Sequence, residues 1–111
     1  MIELIIKQHL DNKLSEPVFL EKPSSQTGTY VVFEKTSGSE TNHLPNGTFA
    51  FQSYAPSLYQ AALLNEKVKE AVKSLIELDE IRGLSLNSDY KFTDITTKEY
   101  RYQAVFDIRY Y

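Results

Sequence analysis

The stretch GTFAFQSYAPSLYQAALLNEKV, Gly47 to Val68, changes its hydrophobic period in the middle. Up to Tyr54 the side chains alternate, with Phe49, Phe51 and Ser53 against Ala50, Gln52 and Tyr54. After Pro56 the apolar residues Leu58, Ala61, Ala62, Val68, Val72 and Leu75 follow helical spacing. A period of two gives a strand one face, and a spacing of three to four gives a helix one face. A strand that runs straight into a long helix buries both faces by laying the helix back on its own sheet. Phe49 and Phe51 are therefore expected to face that helix, which should run to about Leu78. Pro56 fits its first turn, where the missing N–H costs nothing, with Ser53 or Ala55 preceding the cap.

The rest of the chain fits this frame. Ile2, Ile6, Leu10 and Leu14 step along one stripe of an amphipathic helix, and Pro17 disfavours helical geometry at Glu16, so the helix should end near Ser15. Val18-Phe19-Leu20 is a short strand, and Lys22 to Gly28 is a polar loop. Thr29 to Thr36, TYVVFEKT, is rich in β-branched and aromatic residues and forms a strand that most simply pairs antiparallel with Thr48 to Tyr54. Between them SGSETNHLPNG, Ser37 to Gly47, reads as an unusually long loop, and long ordered loops in compact domains are commonly functional. Leu84 to Ile95 alternates weakly and is expected to form a strand bent or bulged around Asn87-Ser88-Asp89, with a turn at Thr96-Thr97-Lys98. From Tyr100 the alternation is clear. Tyr100, Tyr102, Ala104, Phe106, Ile108 and Tyr110 share the face expected to lie under a helix, and Arg101, Gln103, Asp107 and Arg109 share a wet one. The pattern predicts an α+β fold, a two-layer sandwich in which two helices pack on one face of a mostly antiparallel sheet of four to five strands. If the last strand is an edge, nothing in its sequence blocks pairing with another subunit.

At 111 residues the chain makes one domain, 1–111, with room for one core but little for a deep, walled active site. No cysteine is present, which excludes a disulfide framework and a thiolate metal site. A net charge of −3 argues against sequence-independent phosphate binding as the main role. No signal peptide is visible and no apolar run approaches the ~18 residues of a membrane span, so a soluble, intracellular protein is expected.

A search for chemistry finds little. His9 and His43 are the two histidines, and His43 has no further ligands at metal-binding spacing around Glu40, Thr41 and Asn42. Ser39, His43 and Glu40 could be drawn as a triad, but no nucleophile elbow or oxyanion hole accompanies them. Gly28, Gly38, Gly47 and Gly83 are scattered and build no phosphate-cradling loop, while Asn46-Gly47 reads as a turn. The chain is read as a non-enzyme without a catalytic residue, cofactor or metal. Eight tyrosines, four of them in the last strand beside Arg101 and Arg109, raise base stacking as an alternative of another class. The tyrosines on the Phe106 face and a strand order unlike the common RNA-binding sheet weigh against it.

FAFQSYAPSLYQAALLNEKVKEAVKSL resembles the strand–turn–helix segment of small siphophage tail-completion proteins. The N-terminal helix, the YVVFEK strand and the alternating C-terminal strand stand in the same order, so the resemblance spans nearly the whole chain. It implies a tail terminator or tail-to-head joining protein of a phage or prophage of a Gram-positive host. Such proteins form rings, typically homo-hexamers, that cap the tail tube and meet the head-completion or connector protein, while DNA passes through the lumen without specific binding. The implied location is the virion, assembled in the host cytoplasm, with no membrane partner. Loops line the lumen or dock on neighbours in such rings, and the matching candidates are Ser24, Ser25 and Gln26 in the first loop. In the second they are Ser37, Ser39, Glu40, Asn42, His43 and Asn46. Another neck or minor capsid component is the alternative within assembly.

Overall fold

A computed structural model of the chain describes residues 1–24, 28–93 and 99–111. The elements are α1 (Ile2–Lys13), β1 (Val18–Phe19), β2 (Tyr30–Thr41), β3 (Leu44–Ala55), α2 (Leu58–Lys73), β4 (Ile81–Lys91) and β5 (Tyr100–Tyr110). The strands form one sheet in the order β1-β2-β3-β5-β4. Every neighbouring pair is antiparallel except β1 with β2. The α+β architecture expected from the pattern is the one found.

Both helices cover one face, α2 across β3 and β5, and α1 against α2 and β1. The dry layer between them holds Phe33, Phe49, Phe51, Phe106 and Ile108 from the sheet, and Ile6, Leu10, Val68, Val72 and Leu75 from the helical side. Phe33 stacks on Phe51 at 5.4 Å and Phe51 meets Phe106 edge-on at 5.9 Å. Each ring is fully buried, a contribution of about 1.5–3 kcal/mol relative to exposure. Phe49 and Phe51 face α2, as their alternation predicts.

Boundaries shift for local reasons. Leu14 leaves α1 with extended backbone, and Pro17 O then accepts a hydrogen bond from Val31 N, which ties the start of β1 to β2. Ser57 caps α2, with Ser53 and Ala55 before it as expected. Its extended backbone lets Oγ accept from Gln60 N at 3.2 Å, so Pro56 lies before the cap instead of in the first turn. The α-helix stops at Lys73, and a 3₁₀ turn, Ser74–Glu77, completes the rod predicted to reach Leu78. Gly83 lies within β4, at a register irregularity between Ile81 and Gly83. A second bulge, between Leu86 and Ser88, falls where the bend was expected. The Thr96-Thr97-Lys98 turn lies outside the described residues.

Two corrections matter for function. Ser37 to Gly47 is not a loop. β2 and β3 continue as a paired hairpin through Gly38↔Gly47, Ser39↔Asn46, Glu40↔Pro45 and Thr41↔Leu44. The reversal takes only Asn42 and His43, both with positive φ (54° and 67°), as a two-residue primed turn requires. The Asn46-Gly47 dipeptide sits inside β3. β5, in turn, is not an edge: it lies between β3 and β4.

Candidate functional site

The residues proposed from sequence divide between the hairpin and the sheet face turned away from the helices. In the hairpin Ser37, Ser39, Glu40, Asn42 and His43 are exposed and Asn46 is half-buried. Ser39 Oγ donates to Asn46 Oδ1 at 2.6 Å across the pair, so two of these residues bind each other. Ser24 is exposed in a turn after β1, where Lys7, Phe19, Leu20, Lys22 and Pro23 line a shallow depression with it. Ser25 and Gln26 lie outside the described residues.

On the other sheet face Arg101, Gln103, Asp107 and Arg109 project together, as their alternation predicts, yet the face is only partly wet. Gln103 is buried, Arg101 and Asp107 are half-buried, and Arg109 is exposed. Residues missed from sequence join them. Tyr54 Oη donates to Gln52 Oε1 at 3.1 Å, Gln52 Nε2 donates to Gln103 Oε1 at 2.9 Å, and Gln103 Nε2 reaches Tyr90 Oη. Arg101 donates to Tyr54 Oη at 3.0 Å and to the Phe92 carbonyl, and its guanidinium lies 4.3 Å from the Phe92 ring centre. Tyr30 stacks on Tyr54 at 4.6 Å, and both are 3% exposed. Asp107 accepts from Thr48 Oγ1 at 2.8 Å and from Asn87 Nδ2 at 3.0 Å. The faces of these residues could be read from alternation. The Gln52–Gln103 link could not, since it depends on which strands are neighbours.

The tyrosines of β5 behave unevenly. Tyr110 packs on the core margin, whereas Tyr100 is exposed rather than held under a helix. Lys35 lies along the bare backbone of Gly38 and Gly47 and donates to Tyr110 Oη at 3.1 Å. A Cβ on Gly38 would meet Lys35 Cε at 2.8 Å, so glycine is what lets this lysine lie flat.

The nearest approach to a catalytic arrangement is His9 with Ser74, Nε2 to Oγ at 2.7 Å. The Ser74 hydroxyl proton goes to the Ala71 carbonyl at 2.6 Å, so the imidazole N–H donates to Oγ and does not activate it. His9 is buried. Desolvation pushes its pKa below the ordinary 6.5, with Lys13 adding to the effect and Glu77 opposing it. Among the described residues no three His, Asp or Glu side chains converge to hold a metal ion. No described helix is long and apolar enough to cross a membrane.

The sheet margins are the remaining surface. β1 covers Val31 and Val32 of β2, and among the described residues β2 from Phe33 onward is unpaired on that side. β4 ends the sheet at the other side. Along and just beyond it Leu86, Tyr90 and Phe92 are 42%, 41% and 40% exposed. β4 is anchored from behind by Asp89, which accepts from buried Asn65 at 2.7 Å and from Lys69. That hydrogen bond, ahead of a second to Glu66, raises the Lys69 pKa above its usual value.

No protein-family model matches the chain, and no curated protein sequence matches it either.

Proposed function

We propose that this protein is a structural component of a siphophage virion, a tail terminator or tail-to-head joiner that works as a homo-oligomeric ring. The observation that carries the reading is that, among the described residues, the sheet is open at both margins and helices cover one face. Strands unpaired on one side are templates for another chain, and a heterologous contact between the two margins closes into a ring when the rotation fits. The resemblance of the strand–turn–helix segment supplies the setting. A hexamer caps the tail tube, meets the head connector and lets DNA pass, with the turn at Asn42 and His43 presented as a contact tip. No residue is given a catalytic role, and no cofactor is required.

Light scattering after size exclusion, over a concentration series, tests the reading. The expected species approaches six times the chain mass and binds purified tail tubes. A strict monomer at high concentration that ignores tail tubes would sink it.

The second reading, a single-strand nucleic-acid module, draws on Arg101 set between Phe92 and Tyr54. It is the weaker one because Tyr30 and Tyr54 stack on each other and are buried, which leaves neither ring free for a base.

A further inference from the structure

Toward its tip the hairpin leaves the rest of the sheet behind. β5 pairs with β3 from Asn46 onward, and β1 reaches Val31 and Val32 of β2. The pairs Glu40↔Pro45 and Thr41↔Leu44 therefore have no third strand on either side among the described residues. From Glu34 to His43 every residue is exposed, so the ribbon also lacks an apolar face of its own. A two-stranded hairpin with neither kind of support is marginal in water. The arm from Gly38 to Pro45 has to be held by something other than burial.

Two cations reach it from the end of the sheet. Ile81 stands opposite Tyr110 and Gly83 opposite Arg109, so Arg82 is the extra residue of a bulge in β4. A bulge re-aims a side chain, and this one carries the guanidinium past the end of β5. Arg82 Nε donates to the Tyr110 carbonyl and Nη2 to the Pro45 carbonyl, both at 3.1 Å. Tyr111 N, the next donor along β5, goes to Glu80 O at 3.0 Å and does not serve β3. The planar fork thus stands where a neighbouring strand would have supplied the donor. Lys35 grips the same tyrosine. Its stem lies on the bare backbone of Gly38 and Gly47, and Nζ donates to Tyr110 Oη at 3.1 Å, 5.8 Å from the ring centre. Tyr110 is held at its carbonyl by one cation and at its ring by the other, and each cation also lies against the arm.

From these contacts we infer that Arg82 and Lys35 form a bracket on Tyr110 that fixes the hairpin arm to the end of the sheet and holds the turn at Asn42 and His43 in one position. Arg82 is a positioning residue here, acting on the turn through the Pro45 carbonyl. The order of the arm rests on charge-assisted hydrogen bonds rather than on buried area, so it can be lost while the core stays folded. The bracket belongs to a single chain and stands or falls apart from the ring reading.

Native-state hydrogen exchange followed by NMR tests the bracket, at high and low protein concentration so that protection gained by assembly is separated. In Arg82→Ala the amides of Ser39, Glu40, Thr41 and Leu44 are expected to exchange at least about tenfold faster, while those of Phe49, Phe51 and Phe106 keep their wild-type rates. Arg82→Lys, a point charge without the fork, should leave the arm fast as well. Lys35→Met keeps the flat stem and loses the ammonium, and an increase of about threefold in the same amides is expected. It carries the test if no Arg82 variant folds. Arg109→Ala is the control: its guanidinium lies along Gly83 and makes no hydrogen bond among the described residues, so the arm should keep its protection. Arm amides that do not change in the Arg82 variants, or in Lys35→Met where it stands alone, overturn the inference. A uniform loss over arm and core also overturns it, because Arg82 would then support the whole sheet. So does an arm that opens as fast in Arg109→Ala as in Arg82→Ala.

Discussion

The two faces of this sheet are built on different principles. Under the helices, Phe33, Phe49, Phe51 and Phe106 are sealed in a dry layer, and the gain comes from area removed from water. On the opposite face no element covers the strands among the described residues, yet Tyr30, Tyr54 and Gln103 are nearly as inaccessible. They achieve this by lying on one another, aromatic on aromatic and amide on amide. Such a lattice is worth less per group, since each hydrogen bond replaces one to water. What it provides is direction: a row of polar groups fixes which strand stands next to which. The dry face supplies stability, and the polar face supplies register.

The contrast can be broken most forcefully at Phe51. Phe51→Ala is expected to cost about 3–5 kcal/mol in urea denaturation, as a large core ring is lost with little room for collapse. A loss under about 1 kcal/mol would mean that the layer is loosely packed. Tyr54→Phe, three residues along the same strand and on the other face, keeps the ring and removes one hydroxyl. It should cost about 1–2 kcal/mol, through the bonds to Gln52 and Arg101. If it matches Phe51→Ala, the distinction between the faces fails. The smallest effect concerns His9, the titratable group at the edge of the dry layer. Its folded pKa lies below 6.5, so the unfolded chain binds more protons as pH falls. The stability that neutral His9 contributes is present above pH 6.5 and is lost as pH falls through the folded value. Urea midpoints at pH 7.5 and 5.5 should show that decline, and His9→Gln should flatten it. Equal slopes for the two proteins would place the titration elsewhere.

The parts of the fold that were legible in the sequence are those where one face is wet and the other dry. α1, α2 and β5 write their burial into their period, and so do Phe49 and Phe51. The hairpin writes nothing of the kind. From Glu34 to His43 every residue is exposed, so SGSETNHLPNG has no apolar beat to announce a strand. Its turn uses Asn42-His43, while the stronger turn dipeptide, Asn46-Gly47, is spent inside β3. There a Cβ on Gly47 would crowd Phe49 Cε1 at 3.0 Å and Lys35 Cε at 3.1 Å. Pro45 also looked like loop material. It fits β3 because β5 pairs only from Asn46 onward, so no neighbouring carbonyl there lacks a donor. Strand order is absent from any local pattern, which is why β5 could be taken for a margin and why the Gln52–Gln103 contact was invisible. Of the candidate site, the wet face of β5 was readable residue by residue, and its partners on other strands were not.

The short β1 has a consequence for how the molecule could grow. Because Val18 and Phe19 occupy Val31 and Val32, an incoming strand finds the first slots of β2 already taken. Under the ring reading it could slide along the margin no further than Phe33. In the proposed ring a two-residue strand would thereby act as an end-stop, limiting the offsets at which one molecule could lie beside the next. A sheet without it could extend at many offsets, and such freedom leads to fibres of uneven pitch rather than closed objects of fixed count.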